Sequence, residues 1–139
     1  MGQINVAATV RNFGDEERAL AGDLPAGQVR VATVGAMLVD TGALYLGLPA
    51  GIVAALGLRL LREVPVVTAN GPARMRYFTG VTLEVMGRTG LFDCIELPTG
   101  TIPLLGAVPM EVLGLEPDLR NRRLILLPDE GPRNYQIMM

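Results

Sequence analysis

The chain has 139 residues, half of them hydrophobic and 19% charged, with a mean hydropathy of +0.37. That is one domain with room for a core needing no disulfide or metal staple, and not a disordered chain. A net charge of −2 lacks the basic footprint that nucleic-acid binding requires, and the absence of histidine removes Ser-His-Asp and Cys-His catalysis and the commonest zinc sites. Arginines clustered at 59–62, 74–76 and 120–123 read as solvated loop charge.

At the N-terminus there is neither a basic patch nor a continuous apolar run, so no signal peptide is expected, and Val6 stands where a myristoylation signal wants a hydroxyl. Ile4, Val6, Ala8 and Val10 alternate, which predicts a half-buried strand over residues 4–11. Residues 12–18 break it with turn formers and charge, and residues 18–27 end in the turn Leu24-Pro25-Ala26-Gly27. Alternation resumes at Val29, Val31 and Thr33, with a bulge or bend expected at Gly35. Next comes Met37-Leu38-Val39-Asp40-Thr41-Gly42-Ala43. A carboxylate at the mouth of an apolar strand is costly to desolvate unless it is hydrogen-bonded, and such placement is how an acid is tuned for chemistry. Asp, Thr and Gly are also ordinary turn formers, so the motif needs support from elsewhere. No charge occurs from Thr41 to Leu58. Four glycines and Pro49 interrupt that run, which reads as strand, turn and a Pro-led helix over 50–56 closed by Gly57 rather than a membrane span.

Residues 64–69 predict a strand, Asn70-Gly71 a type I′ hairpin turn, and residues 73–79 the returning strand. A further pair, 81–86 and 91–97, flanks Gly87-Arg88-Thr89-Gly90. The single Cys94 sits in an apolar run and reads as a small buried hydrophobe in a reducing compartment; a cytoplasmic protein is expected. Ile102-Pro103-Leu104-Leu105-Gly106-Ala107 leads to a second Pro-started helix, 109–113, stopped by Gly114. Residues 122–127 predict a last strand, 128–131 a break, and 135–139 an extended apolar tail. An internal echo is visible: strand, glycine turn, proline, short helix and Leu-Gly-Leu occur after Asp40 and again after Leu104.

Asp40-Thr41-Gly42-Ala43, the hairpin tipped by Asn70-Gly71, and Leu104-Leu105-Gly106 before a helix fall in an order that resembles the retropepsin-like aspartic proteases, over roughly residues 29–127. The Leu-Pro helix and Leu-Gly-Leu look more like bacterial members than viral ones. The resemblance implies a mainly β, single-domain closed barrel, one half of an acid protease, with two short helices. It implies an aspartic endopeptidase with Asp40, Thr41 and Gly42 catalytic, and Ala43, Asn70, Gly71, Leu105 and Gly106 binding substrate. No metal or cofactor is implied, and the partner is a peptide or unstructured protein, with no nucleic acid and no membrane. Glu63, Glu84, Asp93, Glu96, Glu111 and Asp118 lie in no second Asp-Thr-Gly, so the site needs Asp40 from each chain of a homodimer. Leu44-Tyr45 and Ala107 stand where viral members carry acids and an arginine, so their ion pair is missing. Terminal strands at residues 4–10 and 135–139 are the expected dimer contacts. One glycine, Gly71, beside Pro72 suggests a stiffer flap. The alternatives are a catalytically silent peptide-binding module of the same fold, and a purely structural β-domain.

Overall fold

A computed structural model describes residues 3–128. The chain opens with β1 (Asn5–Asn12) and α1 (Phe13–Leu20), and a 3-10 turn at Ala26–Gln28 leads into β2 (Val31–Val39). Then come β3 (Leu46–Pro49), α2 (Ala50–Leu56), β4 (Arg59–Thr68), β5 (Gly71–Val85) and β6 (Arg88–Leu97). The described part closes with β7 (Leu104–Leu105), α3 (Ala107–Leu113), β8 (Leu115–Asp118) and β9 (Arg123–Leu126).

The mainly β architecture expected from the sequence is present. β1, β2, β7, β3, β6 and β5 pair in that order, and β5 returns to pair with β1, closing a six-stranded barrel. β4 extends the sheet outward from β5. Alternate positions of the strands fill the interior: Val10, Met37, Leu48, Val81, Leu83, Val85 and Leu105 have no measurable exposure. Burying each such side chain contributes about 1.5–3 kcal/mol, and an aliphatic core is what a chain poor in aromatics can build. No helix among the described residues is long and apolar enough to cross a membrane.

Several local expectations are corrected. Where a break was expected over residues 12–18, a third helix, α1, forms over Phe13–Leu20. Asn12 is its N-cap: Oδ1 accepts from Asp15 N at 2.9 Å, while Nδ2 donates to Leu56 O at 2.8 Å. The strands expected at 73–79 and 81–86 are one strand, β5, bulged at Thr79-Gly80, where two residues face Asp93 alone. The register of β1 against β2 likewise slips across Gly35-Ala36, where a bulge was expected. α3 starts two residues earlier than its proline, since Pro109 is its third residue, where the missing N–H has no intrahelical duty. Both Leu-Gly-Leu glycines are left-handed helix stops, Gly57 at φ 60° and Gly114 at φ 68°, conformations costly for any side chain with a Cβ. The strand expected over residues 4–11 is present as β1: Thr9 to Arg11 pair with both β2 and β5, and Asn5–Ala8 pairs with β2 alone. The tail at 135–139 lies outside the described residues.

Candidate active site

Asp40 follows the last residue of β2, at the end of an apolar strand running parallel to β7. Its backbone N–H donates to Leu105 O at 3.0 Å, and Ala43 N donates back to Asp40 O at 3.1 Å, closing a tight turn. Gly42 N donates to Asp40 Oδ1 at 2.9 Å. One carboxylate oxygen is thereby oriented and the other left without a partner among the described residues. Asp40 is half-buried, with Thr41 and Gly42 exposed beside it. A hydrogen-bonded acid with a free oxygen at an open rim can accept a proton from a water molecule, which is the capacity a general base needs.

Leu105 and Gly106 stand behind this turn. Leu105 is fully buried, so its side chain belongs to the core and its carbonyl to the turn. Past Gly106, Ala107 N donates to Ala43 O at 2.8 Å and Val108 N to Leu44 O at 3.0 Å. Gly106 is the crossing point, where an added Cβ would collide with Tyr45 O and stand 2.8 Å from Ala43 O. Asp40, Ala43, Leu44, Leu105, Ala107 and Val108 thus share one backbone network, with Thr41 and Gly42 inside the turn and Gly106 at the crossing.

Asn70 and Gly71 sit elsewhere, at the tip of the β4–β5 hairpin, and no hydrogen bond among the described residues ties them to the turn. The turn type differs from expectation. Thr68 pairs with Gly71, so Ala69 and Asn70 are the central residues, and Gly71 alone has positive φ, 105°. With Ala69 and Asn70 both at negative φ, this is not a type I′ turn, which needs positive φ at both central residues. Thr68 Oγ1 braces it by donating to Gly71 O at 2.9 Å and accepting from Asn70 N at 3.2 Å.

Two features were not apparent in the sequence. The first is the extent of the internal echo. β2, its loop, β3 and α2 repeat as β6, its loop, β7 and α3, with β2 parallel to β7, β6 parallel to β3, and β3 antiparallel to β7. In the second copy, Pro98-Thr99-Gly100 follows β6 where Asp40-Thr41-Gly42 follows β2. The repeated Thr-Gly was legible in the sequence; its alignment needed the strands. A proline stands where a second acid would, so this chain brings one such carboxylate. Each copy also covers its helix stop with an arginine: Arg30 lies against Gly57, and Arg88 donates to Leu113 O and Gly114 O at 3.0 and 2.9 Å.

The second feature is a bridge of rings beside the turn. Tyr45 meets Tyr77 of β5 edge-on, centroids 5.8 Å apart at 85°, and the Arg62 guanidinium stacks over Tyr77 at 4.7 Å. The single cysteine is buried in the barrel wall; burial, then the nearby Asp93 and Glu96, push its thiol up to about 12, so it is protonated and unreactive at neutral pH.

Set against known proteins, residues 26–116 match a family model described as aspartyl protease. No curated protein matches the chain.

Proposed function

Since this chain belongs to an aspartyl protease family of the retropepsin-like clan, we propose that it is an endopeptidase whose site is completed by two copies of Asp40, one from each subunit of a homodimer. The observation that carries this reading is the Asp40 turn, with Gly42 N on one carboxylate oxygen, backed by Leu105 and Gly106. Its counterpart loop offers Pro98 in place of an acid, which supports a site drawn from two chains. Two carboxylates brought close cannot both ionise and share one proton. The ionised one then takes a proton from a water molecule while the water oxygen attacks the scissile carbonyl. The protonated one hydrogen-bonds the carbonyl oxygen as negative charge develops there. Breakdown returns a proton to the departing amine, leaving two shorter peptides. Thr41 and Gly42 hold the turn, Ala43 borders it, and the hairpin with Asn70 and Gly71 covers the substrate. A reducing, cytoplasmic setting suits the one buried thiol.

Asp40→Asn tests the assignment. The amide keeps the shape and can still accept from Gly42 N, yet it cannot take a proton from water. Cleavage of an unstructured protein should fall by at least about a hundredfold, with the circular dichroism spectrum unchanged. Peptide binding that survives while wild type and variant both fail to cleave would identify a silent binding module. Full cleavage by the variant would refute the site.

A further inference from the structure

Between Tyr45 and the stem of the hairpin lies a depression of about 160 Å³, lined by Tyr45, Leu61, Arg62, Tyr77, Asp93 and Cys94. We propose that it is a specificity pocket for a carboxamide side chain, glutamine or asparagine, of the peptide being cut. The inference rests on reading Asp40 as the cleavage site, because Tyr45 belongs to the segment leaving that turn and is pinned there by its neighbour Leu44, whose carbonyl accepts from Val108 N at 3.0 Å. A peptide crossing Asp40 beneath the hairpin therefore passes this opening.

The chemistry of the walls decides what enters. β5 lies between β4 and β6 in the sheet, so Arg62 and Asp93 come from the strands on either side of Tyr77. They make no ion pair with each other; the carboxylates beside the hairpin, Glu63 and Glu96, are taken by Arg74 and Arg76. A guanidinium only donates and a carboxylate only accepts, and a carboxamide offers one of each: its oxygen accepts from Arg62 and its NH₂ donates to Asp93. The tyrosine rings and Leu61 cover its methylenes. A glutamate in the same place meets Asp93, a lysine meets Arg62, and a leucine satisfies neither, so three classes of competitor are disfavoured by different groups. Arg62 is held by its stacking on Tyr77 at 4.7 Å, so part of the ordering cost is met before substrate arrives.

The test uses peptides carrying Gln, Asn, Glu, Lys or Leu in turn at each position around the cut. They are assayed for kcat and KM with the wild-type protein, Arg62→Met and Asp93→Asn, and titrated by fluorescence anisotropy onto Asp40→Asn. One position should favour Gln or Asn over Glu, Lys and Leu by about tenfold, expressed in KM and in binding. At that position Arg62→Met should admit Lys, and Asp93→Asn should admit Glu. Those opposite changes would not follow from a general loss of packing. Asp93→Asn leaves the Arg62–Tyr77 stack untouched and stands alone if Arg62→Met fails to fold. Cleavage with no carboxamide preference, or a preference that neither variant alters, overturns the pocket and leaves the protease reading standing. Carboxamide-selective binding without cleavage overturns the protease reading and keeps the pocket. Neither binding nor cleavage overturns both.

Discussion

A Cβ at position 106 would collide with Tyr45 O and stand 2.8 Å from Ala43 O. Those obstacles are backbone of the very segment that carries Asp40, so they can yield only by moving the turn. Gly106→Ala should therefore cost about 1–3 kcal/mol by urea unfolding. It should lower kcat/KM by at least about a hundredfold, because a displacement near 1 Å is enough to misplace a reacting group. A variant with normal turnover would show that the crossing is looser than this. The Asp15 carboxylate shows the same dependence of one residue on another. Arg30 donates to it from its side chain at 2.8 and 3.0 Å and from its backbone at 3.0 Å. The side-chain bonds and then the backbone bond hold it down to about 2 from 3.8. A depressed acid stabilises the fold fully above its unfolded value and loses that contribution as pH falls toward the folded one. Between pH 5 and pH 2 the wild type should thus lose more stability than Asp15→Asn, seen as converging midpoints of thermal unfolding. Parallel curves would show that the Asp15–Arg30 pair does not couple to folding.

The three short helices and the two hairpins of β4–β5 and β5–β6 show what local chemistry does and does not encode. Both short helices near a proline and stopped by a glycine were legible in the sequence, though the start of α3 was not, because proline and glycine act through their own φ and need no neighbours. α1 was not, since Asn12, Gly14 and the acids also spell a turn. What selects the helix is tertiary: the cap Asn12 also donates to Leu56 O at the end of α2. The residue that would have signalled it is the acid pair Asp15-Glu16 in the first turn after a capping asparagine. At the hairpins the error was one of register. Asn70-Gly71 pointed to a type I′ turn, whereas that geometry occurs at Met86-Gly87, both with positive φ, 52° and 82°. Cross-strand pairing of Glu84 with Thr89 and Val85 with Arg88 fixes it there, against the preference of a methionine side chain. Met86→Asn should relieve that strain at an exposed site and stabilise the protein by about 0.5–1 kcal/mol. That would raise its melting temperature by about 2–5 °C. A lower melting temperature would mean that Met86 packs on something its 44% exposure does not suggest.

For the whole molecule the issue is where two copies would meet in the proposed dimer. The Asp40-Thr41-Gly42 turn was legible because Asp, Thr and Gly act locally on the chain, whereas a surface joining two copies would be assembled from distant segments and leave no such local mark. The sequence pointed to the terminal strands, yet β1 is paired on both sides from Thr9 to Arg11. Exposed apolar residues tied by backbone hydrogen bonds to the Asp40 turn and to β2 are better placed. Leu44 is 53% exposed, Ile102 50% and Val108 36%. Leu44 and Val108 are joined through their backbones at 3.0 Å, and Pro103, next to Ile102, accepts from Leu38 N at 2.8 Å, two residues before Asp40. A second copy related by a two-fold axis near Asp40 would cover these three residues and bring the carboxylates together, with an isologous contact of this kind placing each Leu44 near the axis. Specific activity should therefore fall on dilution, in step with dimer dissociation seen by sedimentation velocity. Leu44→Asp would bury a like charge beside its symmetry mate and should move the midpoint to at least about tenfold higher concentration. Leu119→Asp, exposed in the turn between β8 and β9, should leave it unchanged. Activity persisting in a sample that sediments as a monomer would break the link between the two-chain site and turnover. A midpoint shifted equally by both substitutions would show that the contact lies elsewhere.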